Sequence, residues 1–207
     1  MRRAYPRVVA RPAKYSDEQI LDTAAAVLSS QGPQRVTVEA IASAMGGPSG
    51  SIYHRFATRD LILARLWIRT VHRAQQGFLE ALGQPGVRDA AHDAALHIPR
   101  FSRAHRVDAH VLLLYRRDQL ARAWPDELTP ELEDLNRPLA TALEEFGARL
   151  AGRSTAAKRE AITMALIDVP YGVTRRHLLA DRVPPALVDR LIRAACDCLL
   201  FADQPVD

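Results

Sequence analysis

Apolar residues recur at helical spacing along most of the chain, and this pattern predicts an all-α protein. No segment of useful length alternates apolar and polar residues as a half-buried strand does. Glycine and proline interrupt the pattern at Gly32-Pro33, at Gly46-Gly47 and between residues 83 and 86. We therefore expect a series of helices joined by short turns.

The first helix is predicted to begin at Ser16, because Ser16 and Gln19 have the spacing of a capping box. Two more helices follow before residue 60, and their apolar positions fall at helical spacing. A small shared core is therefore predicted. Its members are Ile20, Ala24, Val27, Val36, Ile41, Met45, Ile52, Phe56 and Leu61.

The second and third helices are short and are separated by a glycine turn. Thr37 is a predicted N-cap, Gly46-Gly47 ends the second helix, and Pro48 can open the third. The third helix turns hydrogen-bond donors and no carboxylate outward: Ser49, Ser51, Tyr53, His54 and Arg55. This pattern is typical of a helix-turn-helix that faces a phosphate backbone. An ordinary helical hairpin in an all-α core has the same spacing.

One long helix is predicted from Thr58 to about Leu82, so the motif is mechanically linked to the rest of the chain. We place a domain boundary within this helix. The expected division is an N-terminal arm at 1–15, a helix-turn-helix domain at 16–64 and a second helical domain at 65–207.

Proline and glycine also divide the second domain. One helix is predicted over 129–150 with a bend at Pro138, and another over 155–179 with an interruption at 169–172. Pro184-Pro185 opens the last helix, which runs to about Phe201.

The last helix has apolar residues on two sides. One stripe contains Leu187, Leu191, Ala194 and Cys198, and the other contains Val188, Ile192, Ala195 and Leu199. A helix that is apolar on two sides needs two partners, which are its own domain and a second subunit. Central burial in a monomer would explain the pattern equally well.

Composition and charge agree with a folded, mildly basic protein. Hydrophobic residues make up 48% of the chain and charged residues 25%, and the formal net charge is +4. Residues 1–15 hold five basic residues, two prolines and no acid. Such an arm can follow the DNA minor groove or remain a solvated tail. A nucleic-acid partner fits this balance without being required by it.

Candidate catalytic and metal-binding chemistry is sparse. Cys196 and Cys198 would lie on different sides of a helix, so we expect buried, reduced thiols without a disulfide or metal. The histidines lack ligand spacing, and no nucleophile or phosphate-loop motif occurs. We expect no enzyme activity and no cofactor. Early arginines rule out a signal peptide, and no apolar run of membrane-spanning length occurs, so the protein is expected in the cytoplasm.

Residues 44–62 resemble the N-terminal DNA-binding motif of the TetR family of bacterial transcriptional regulators. The resemblance extends without a gap from about Ser16 to Leu66. The chain departs from the family pattern at Gly47 and Pro48, where an apolar residue and Ser or Thr are usual. The matching positions are Gly46, Gly50, Tyr53, His54, Phe56 and Arg59.

The resemblance implies that the third helix enters the major groove of a palindromic operator on double-stranded DNA. Tyr53, His54 and Arg59 would donate to phosphate, and the serines would reach base edges. Gly50 would allow a close approach to the DNA backbone. The implied DNA-binding residues are Thr37, Ser49, Gly50, Ser51, Tyr53, His54 and Arg59.

The resemblance also implies a homodimer that pairs through Leu187, Leu191, Ala194 and Cys198, and an effector pocket in the second domain. The expected function is a repressor released from its operator by a small hydrophobic ligand. The alternative is a DNA-binding regulator with a filled core, which responds to a protein partner or to no ligand. The candidate pocket residues equally describe a plain core: Trp67, Val71, His97, Phe101, Val111, Tyr115, Trp124, Leu139, Leu143 and Tyr171.

Overall fold

A computed structural model describes residues 15–114, 128–152 and 155–202. Helices dominate these ranges, and no strand occurs in them. The predicted all-α fold is therefore confirmed. The arm over 1–14 and the candidate pocket residues Tyr115 and Trp124 lie outside the described residues.

Three helices form the N-terminal head: α1 (Asp17–Gln31), α2 (Val38–Ala44) and α3 (Gly50–Tyr53). The capping box at Ser16 is present, since its hydroxyl accepts from the Gln19 amide at 3.2 Å while its own amide donates back to the Gln19 side chain at 2.9 Å. A 3-10 turn at Pro33–Arg35 joins α1 to α2.

The long helix α4 (Arg59–Leu82) leaves the head, and Thr58 caps it by accepting from the Leu61 amide at 3.1 Å. It is followed by α5 (Val87–Ala104) and α6 (Arg106–Leu114). These three helices pack on one another and surround the inner cavity described below.

The single helix predicted over 129–150 is instead two helices, α7 (Thr129–Asp134) and α8 (Arg137–Ala151). The break falls just before Pro138, because proline has no N–H to donate to the carbonyl four residues back, whereas it fits the first turn of the next helix.

The interruption predicted at 169–172 begins earlier. After α9 (Ala156–Thr163), a π-helical turn occupies Met164–Asp168, and α10 (Val169–Leu179) follows directly. The Val169 amide donates five residues back, to the Met164 carbonyl, just before Pro170 removes a donor from the ladder. The last helix, α11 (Ala186–Phe201), begins after the predicted proline pair.

Buried side chains form two clusters. The head cluster contains the predicted core, with Met45 and Leu61 partly buried at its edge, and it extends past residue 64 to Trp67 and Val111. The second cluster joins the end of α4 to α5, α8, the π turn and α11. Helix α4 contributes to both clusters and so connects them as one rigid element. The boundary at residue 64 stays a prediction.

Candidate nucleic-acid interface and inner cavity

The helix-turn-helix consists of α2, a tight turn and α3. Gly46 takes a φ of 63°, which glycine adopts without strain, and so turns the chain after α2. Gly50 is exposed, and a Cβ built on it would meet no atom within 4 Å. Tyr53 is 49% exposed and His54 is exposed, while Ser49 and Ser51 are half-buried. Among the described residues, no contact requires glycine at position 50.

Thr37 has a structural role beside its predicted contact. Its hydroxyl accepts from the Ala40 amide at 3.1 Å and so caps α2. A hydrogen bond from the same hydroxyl also helps to lower the pKa of Glu39, so a phosphate at Thr37 would compete with that carboxylate for the hydroxyl hydrogen.

The exposed face of α3 was expected to be free of acidic residues, but the carboxylate of Glu39 lies against it. The Tyr53 hydroxyl donates to Glu39 Oε1 at 3.2 Å. The charge of Glu39 raises the pKa of Tyr53, and hydrogen bonds from its own backbone amide and from Tyr53 lower the pKa of Glu39. Glu39 was not among the residues predicted at this face, because it lies in the first turn of α2 and not on α3. A phosphate at Tyr53 must therefore displace the carboxylate as hydrogen-bond acceptor.

Arg59, a predicted phosphate donor, makes three hydrogen bonds within the protein. Its Nε donates to the Val36 carbonyl at 2.6 Å, and one terminal nitrogen donates to the Pro33 carbonyl at 2.8 Å. The other terminal nitrogen reaches Asp60 at 3.2 Å. These bonds use three of the five guanidinium N–H groups and fix the start of α4 to the loop that leads to Thr37, and the phosphate contact of Arg59 stays a prediction.

Tyr15, at the end of the predicted arm, packs on the turn. Its hydroxyl donates to the Met45 carbonyl at 2.9 Å. A Cβ on Gly47 would lie 2.5 Å from the Tyr15 ring, a separation that real contacts do not allow. The departure from the family pattern at Gly47 therefore makes room for Tyr15.

Ion pairs join the head to α4. Arg69 Nη1 lies 2.6 Å from a Glu18 oxygen and 2.9 Å from an Asp22 oxygen, both on α1. Arg65 donates to Glu131 of α7 at 2.6 Å. Glu18, Arg65, Arg69 and Glu131 border a depression of about 680 Å³, and these four charges are paired with one another or with Asp22. We interpret it as the junction between α1 and α4.

A second cavity, of about 310 Å³, lies among α4, α5, α6, α8 and α10 and is almost wholly apolar. Five of the candidate pocket residues line it: Val71, His97, Phe101, Leu139 and Tyr171.

Three candidates lie elsewhere. Trp67 and Val111 are buried in the head cluster, and Leu143 packs against the second cluster, so none of them lines this cavity. Trp67 lies four residues before the lining residue Val71, and Leu143 lies four residues after the lining residue Leu139, so each is one helical turn beyond the cavity.

Apart from Tyr171, the contribution of α10 to the cavity was not predicted. Tyr171, Thr174, Arg175 and Leu178 line one side of the cavity at the spacing of a single helical face. That spacing would have predicted the set once Tyr171 was placed in the pocket.

His97 lies between the cavity and α4. Its Nε2 is 2.7 Å from the Ala74 carbonyl, which requires the Nε2–H tautomer, and its ring packs where a Cβ on Gly77 would be. Burial lowers the pKa of His97, although the Ala74 carbonyl acts in the opposite direction. The imidazole is therefore neutral near pH 7 and holds α5 to α4.

The two stripes of α11 have different surroundings. Val188 and Ile192 are buried, while Leu187 and Leu191 are 50% and 57% exposed. Ala194 continues the exposed stripe, and so does Cys198, which corrects the expectation that both cysteines are buried. Cys196 is buried, and burial raises its pKa to about 12.

Within the described ranges, no cluster of three or more histidine, cysteine or acidic residues is placed to hold a metal ion. None of the helices in those ranges is long and apolar enough to cross a membrane.

Capped α2, a glycine turn and an exposed α3 on a buried three-helix core define a helix-turn-helix DNA-binding protein. Residues 20–66 match the family described as bacterial regulatory proteins, tetR family. Over these residues the chain therefore carries a DNA-binding domain that matches the TetR family of bacterial regulatory proteins.

Solved structures extend the similarity of fold over nearly the whole chain. A transcriptional regulator from Rhodococcus sp. Rha1 has a TM-score of 0.69 at 18% identity, covering 93% of this chain and 100% of that one. The fatty acid degradation regulator FadR from Bacillus halodurans has a TM-score of 0.64 at 18% identity, covering 90% and 98%. SmeT, the repressor of the Stenotrophomonas maltophilia multidrug efflux pump SmeDEF, has a TM-score of 0.65 at 21% identity, covering 92% and 91%. No curated protein sequence matches the chain.

Proposed function

We propose that the protein is a homodimeric repressor that leaves a palindromic operator when a small apolar ligand fills the inner cavity. The observation that carries this proposal is the position of the cavity. Its walls include α4 and α6, and both helices also contribute to the core of the DNA-binding head.

Helix α4 provides one route from the cavity to the head. Val71, Ala74 and Phe78 line the cavity, and Leu66 lies in the head cluster on the same rigid helix. Arg69 ties that helix to α1 through Glu18. A ligand that displaces the cavity wall would therefore move the head with α4.

Helix α6 provides a second route. Leu112 and Leu113 line the cavity, while Val111 is 1% exposed in the head cluster. Neighbouring residues of one short helix thus contact the cavity and the head core. A ligand-induced shift of α6 would change the packing of α1.

Dimerisation follows from the exposed stripe of α11. Two such stripes facing across a two-fold axis would remove Leu187 and Leu191 from water and form an isologous interface. Two heads would then read half-sites about one helical turn apart, a separation that tolerates little change. The DNA-binding set, the dimer stripe and the boundary near residue 64 belong to this proposal.

The repressor role draws support from SmeT, whose fold is similar and which is a repressor. The filled-core alternative is disfavoured by the apolar cavity of about 310 Å³, which is at the lower end of the range for small-molecule sites.

Selection of bound fragments from random duplex DNA tests the proposal. We expect an inverted repeat to be enriched, with half-sites spaced for a two-fold dimer. Tyr53→Phe should weaken binding to the selected duplex, whereas Tyr171→Phe, at a similarly exposed tyrosine on α10, should not. Failure to enrich any sequence, or equal affinity for all three proteins, would contradict the DNA-binding assignment.

A thermal-shift screen with apolar compounds tests the ligand response. A compound that binds the folded protein raises the unfolding temperature by mass action, and the same compound should release the selected duplex. Compounds that raise the unfolding temperature without releasing DNA would contradict ligand-controlled repression.

A further inference from the structure

The cavity has an asymmetric distribution of polar groups. Most of its lining is hydrocarbon, and most of its polar side chains have partners within the protein. Gln75 donates to Asn136 at 3.0 Å, Ser102 donates to the Pro99 carbonyl at 2.9 Å, and His97 is bonded to Ala74. These groups are satisfied without a ligand.

Thr174 is an exception. It is 2% exposed, lines the cavity, and its hydroxyl has no hydrogen-bond partner among the described residues. Other helical threonines of this chain, Thr23, Thr70 and Thr163, donate to the carbonyl four residues back at 2.8–3.0 Å. An unpaired buried hydroxyl is unfavourable, so this one is a candidate to bind an incoming polar group.

Arg175 is the second exception. It is half-buried, lines the same side of the cavity, and makes no ion pair or hydrogen bond with the residues that the structure describes. No described lining residue is acidic. Because burial keeps His97 neutral, Arg175 supplies the permanent positive charge of the described lining. A guanidinium next to an apolar cavity favours an anion, and a carboxylate matches its planar donors.

We infer that the cavity takes a single-chain carboxylic acid, with its carboxylate at Arg175 and Thr174 and its hydrocarbon chain along the apolar walls. This inference rests on the proposed function, because it names the ligand class of the proposed effector site. The Thr174 hydroxyl donates to one carboxylate oxygen and the Arg175 guanidinium to the pair. Each methylene that enters the cavity adds to affinity by leaving water.

Isothermal titration of the full-length protein with decanoate and with decanol tests the inference, because the two probes share a chain and differ in head-group charge. The wild type should bind decanoate at least about tenfold more tightly than decanol. Arg175→Met should remove most of that preference and leave decanol affinity nearly unchanged. Arg176→Met is the matched control, since Arg176 is exposed on the same helix and does not line the cavity. It should retain the preference.

Thr174→Val separates ligand binding from folding. The variant should bind decanoate severalfold more weakly, while its unfolding temperature without ligand should not fall, because an unpaired hydroxyl has been replaced by a methyl group of similar size. A fall in unfolding temperature together with unchanged decanoate affinity would overturn the role of Thr174.

Equal affinity of the wild type for decanol and decanoate, or a preference that survives Arg175→Met, would overturn the carboxylate inference. If decanol bound and released the selected duplex as well as decanoate does, the proposed function would stand and the acid inference would fail. Failure of the proposed function has a different signature, which is the absence of an enriched inverted repeat in the DNA selection.

Discussion

The Tyr53 hydroxyl donates to the Glu39 carboxylate across 3.2 Å, so α2 and α3 meet on the proposed DNA face through a charged residue. A carboxylate at this place repels phosphate and occupies a donor that DNA would use. The face is therefore less favourable for DNA than the donors of α3 suggest.

Glu39→Gln should tighten binding to the selected duplex severalfold, because it removes a negative charge from the interface and retains the shape of the side chain. The measurement is a fluorescence-anisotropy titration at fixed salt concentration. Glu160→Gln, at an exposed acid of α9, changes net charge equally and should have little effect. If both variants bound the duplex equally more tightly, the gain in affinity would come from net charge alone and not from the position of Glu39.

The same contact shows where sequence reasoning succeeded and where it failed. The caps at Ser16, Thr37 and Thr58 were predictable because each depends on residues within one helical turn. The pairing of Glu39 with Tyr53 joins residues fourteen positions apart through the turn, so it depends on the angle between two helices.

The internal partners of Arg59 and the exposure of Cys198 could not be predicted, for the same reason. The partners of Arg59 are carbonyls in a loop more than twenty residues earlier, and no local pattern marks them. Cys198 lies at a periodic apolar position, but periodicity does not tell which side of α11 faces its own domain. Local spacing determined the helices and the head core, whereas the sites depended on how the helices pack.

Gly47→Ala should lower the unfolding temperature by displacing the Tyr15 ring and weakening its bond to the Met45 carbonyl. Thermal unfolding of a double-mutant cycle with Tyr15→Ala measures the coupling. In the Tyr15→Ala background, Gly47→Ala should lower the unfolding temperature much less, because the ring that its Cβ would meet is absent. If Gly47→Ala lowered the unfolding temperature equally in the two backgrounds, the Tyr15 ring would not be the reason for glycine at position 47.

Stability should depend on pH through His97. Its folded-state pKa lies below the ordinary value of 6.5, so between the two values the unfolded chain holds a proton that the folded chain lacks. The free energy of unfolding should therefore fall as pH falls through 6.5. Urea denaturation at about pH 7.5 and about pH 5.5 measures the loss.

His97→Gln should reduce this pH dependence, and the amide of glutamine can still donate to the Ala74 carbonyl. His54→Gln, at an exposed histidine, should leave the dependence intact. An unchanged pH dependence in the His97 variant would show that another group is responsible.

Leu191→Glu should convert the dimer to a monomer, because it places a charge in the centre of the exposed α11 stripe. Light scattering after size-exclusion chromatography measures the mass. Val107→Glu, at an exposed apolar residue of α6, should remain dimeric. A wild-type protein that is monomeric at all accessible concentrations would contradict this interface.

The most direct test of the central claim, that α3 approaches DNA closely, is the affinity of Gly50→Ala for the selected duplex by anisotropy. A Cβ at position 50 meets no atom of the described residues within 4 Å, and alanine favours a helix over glycine, so the fold should be unharmed. The account predicts a loss of at least about tenfold in DNA affinity, with an unchanged or higher unfolding temperature. Gly172→Ala, at an exposed helical glycine with equally open surroundings, should bind DNA as the wild type does. Wild-type affinity in the Gly50 variant would contradict the placement of α3 against DNA.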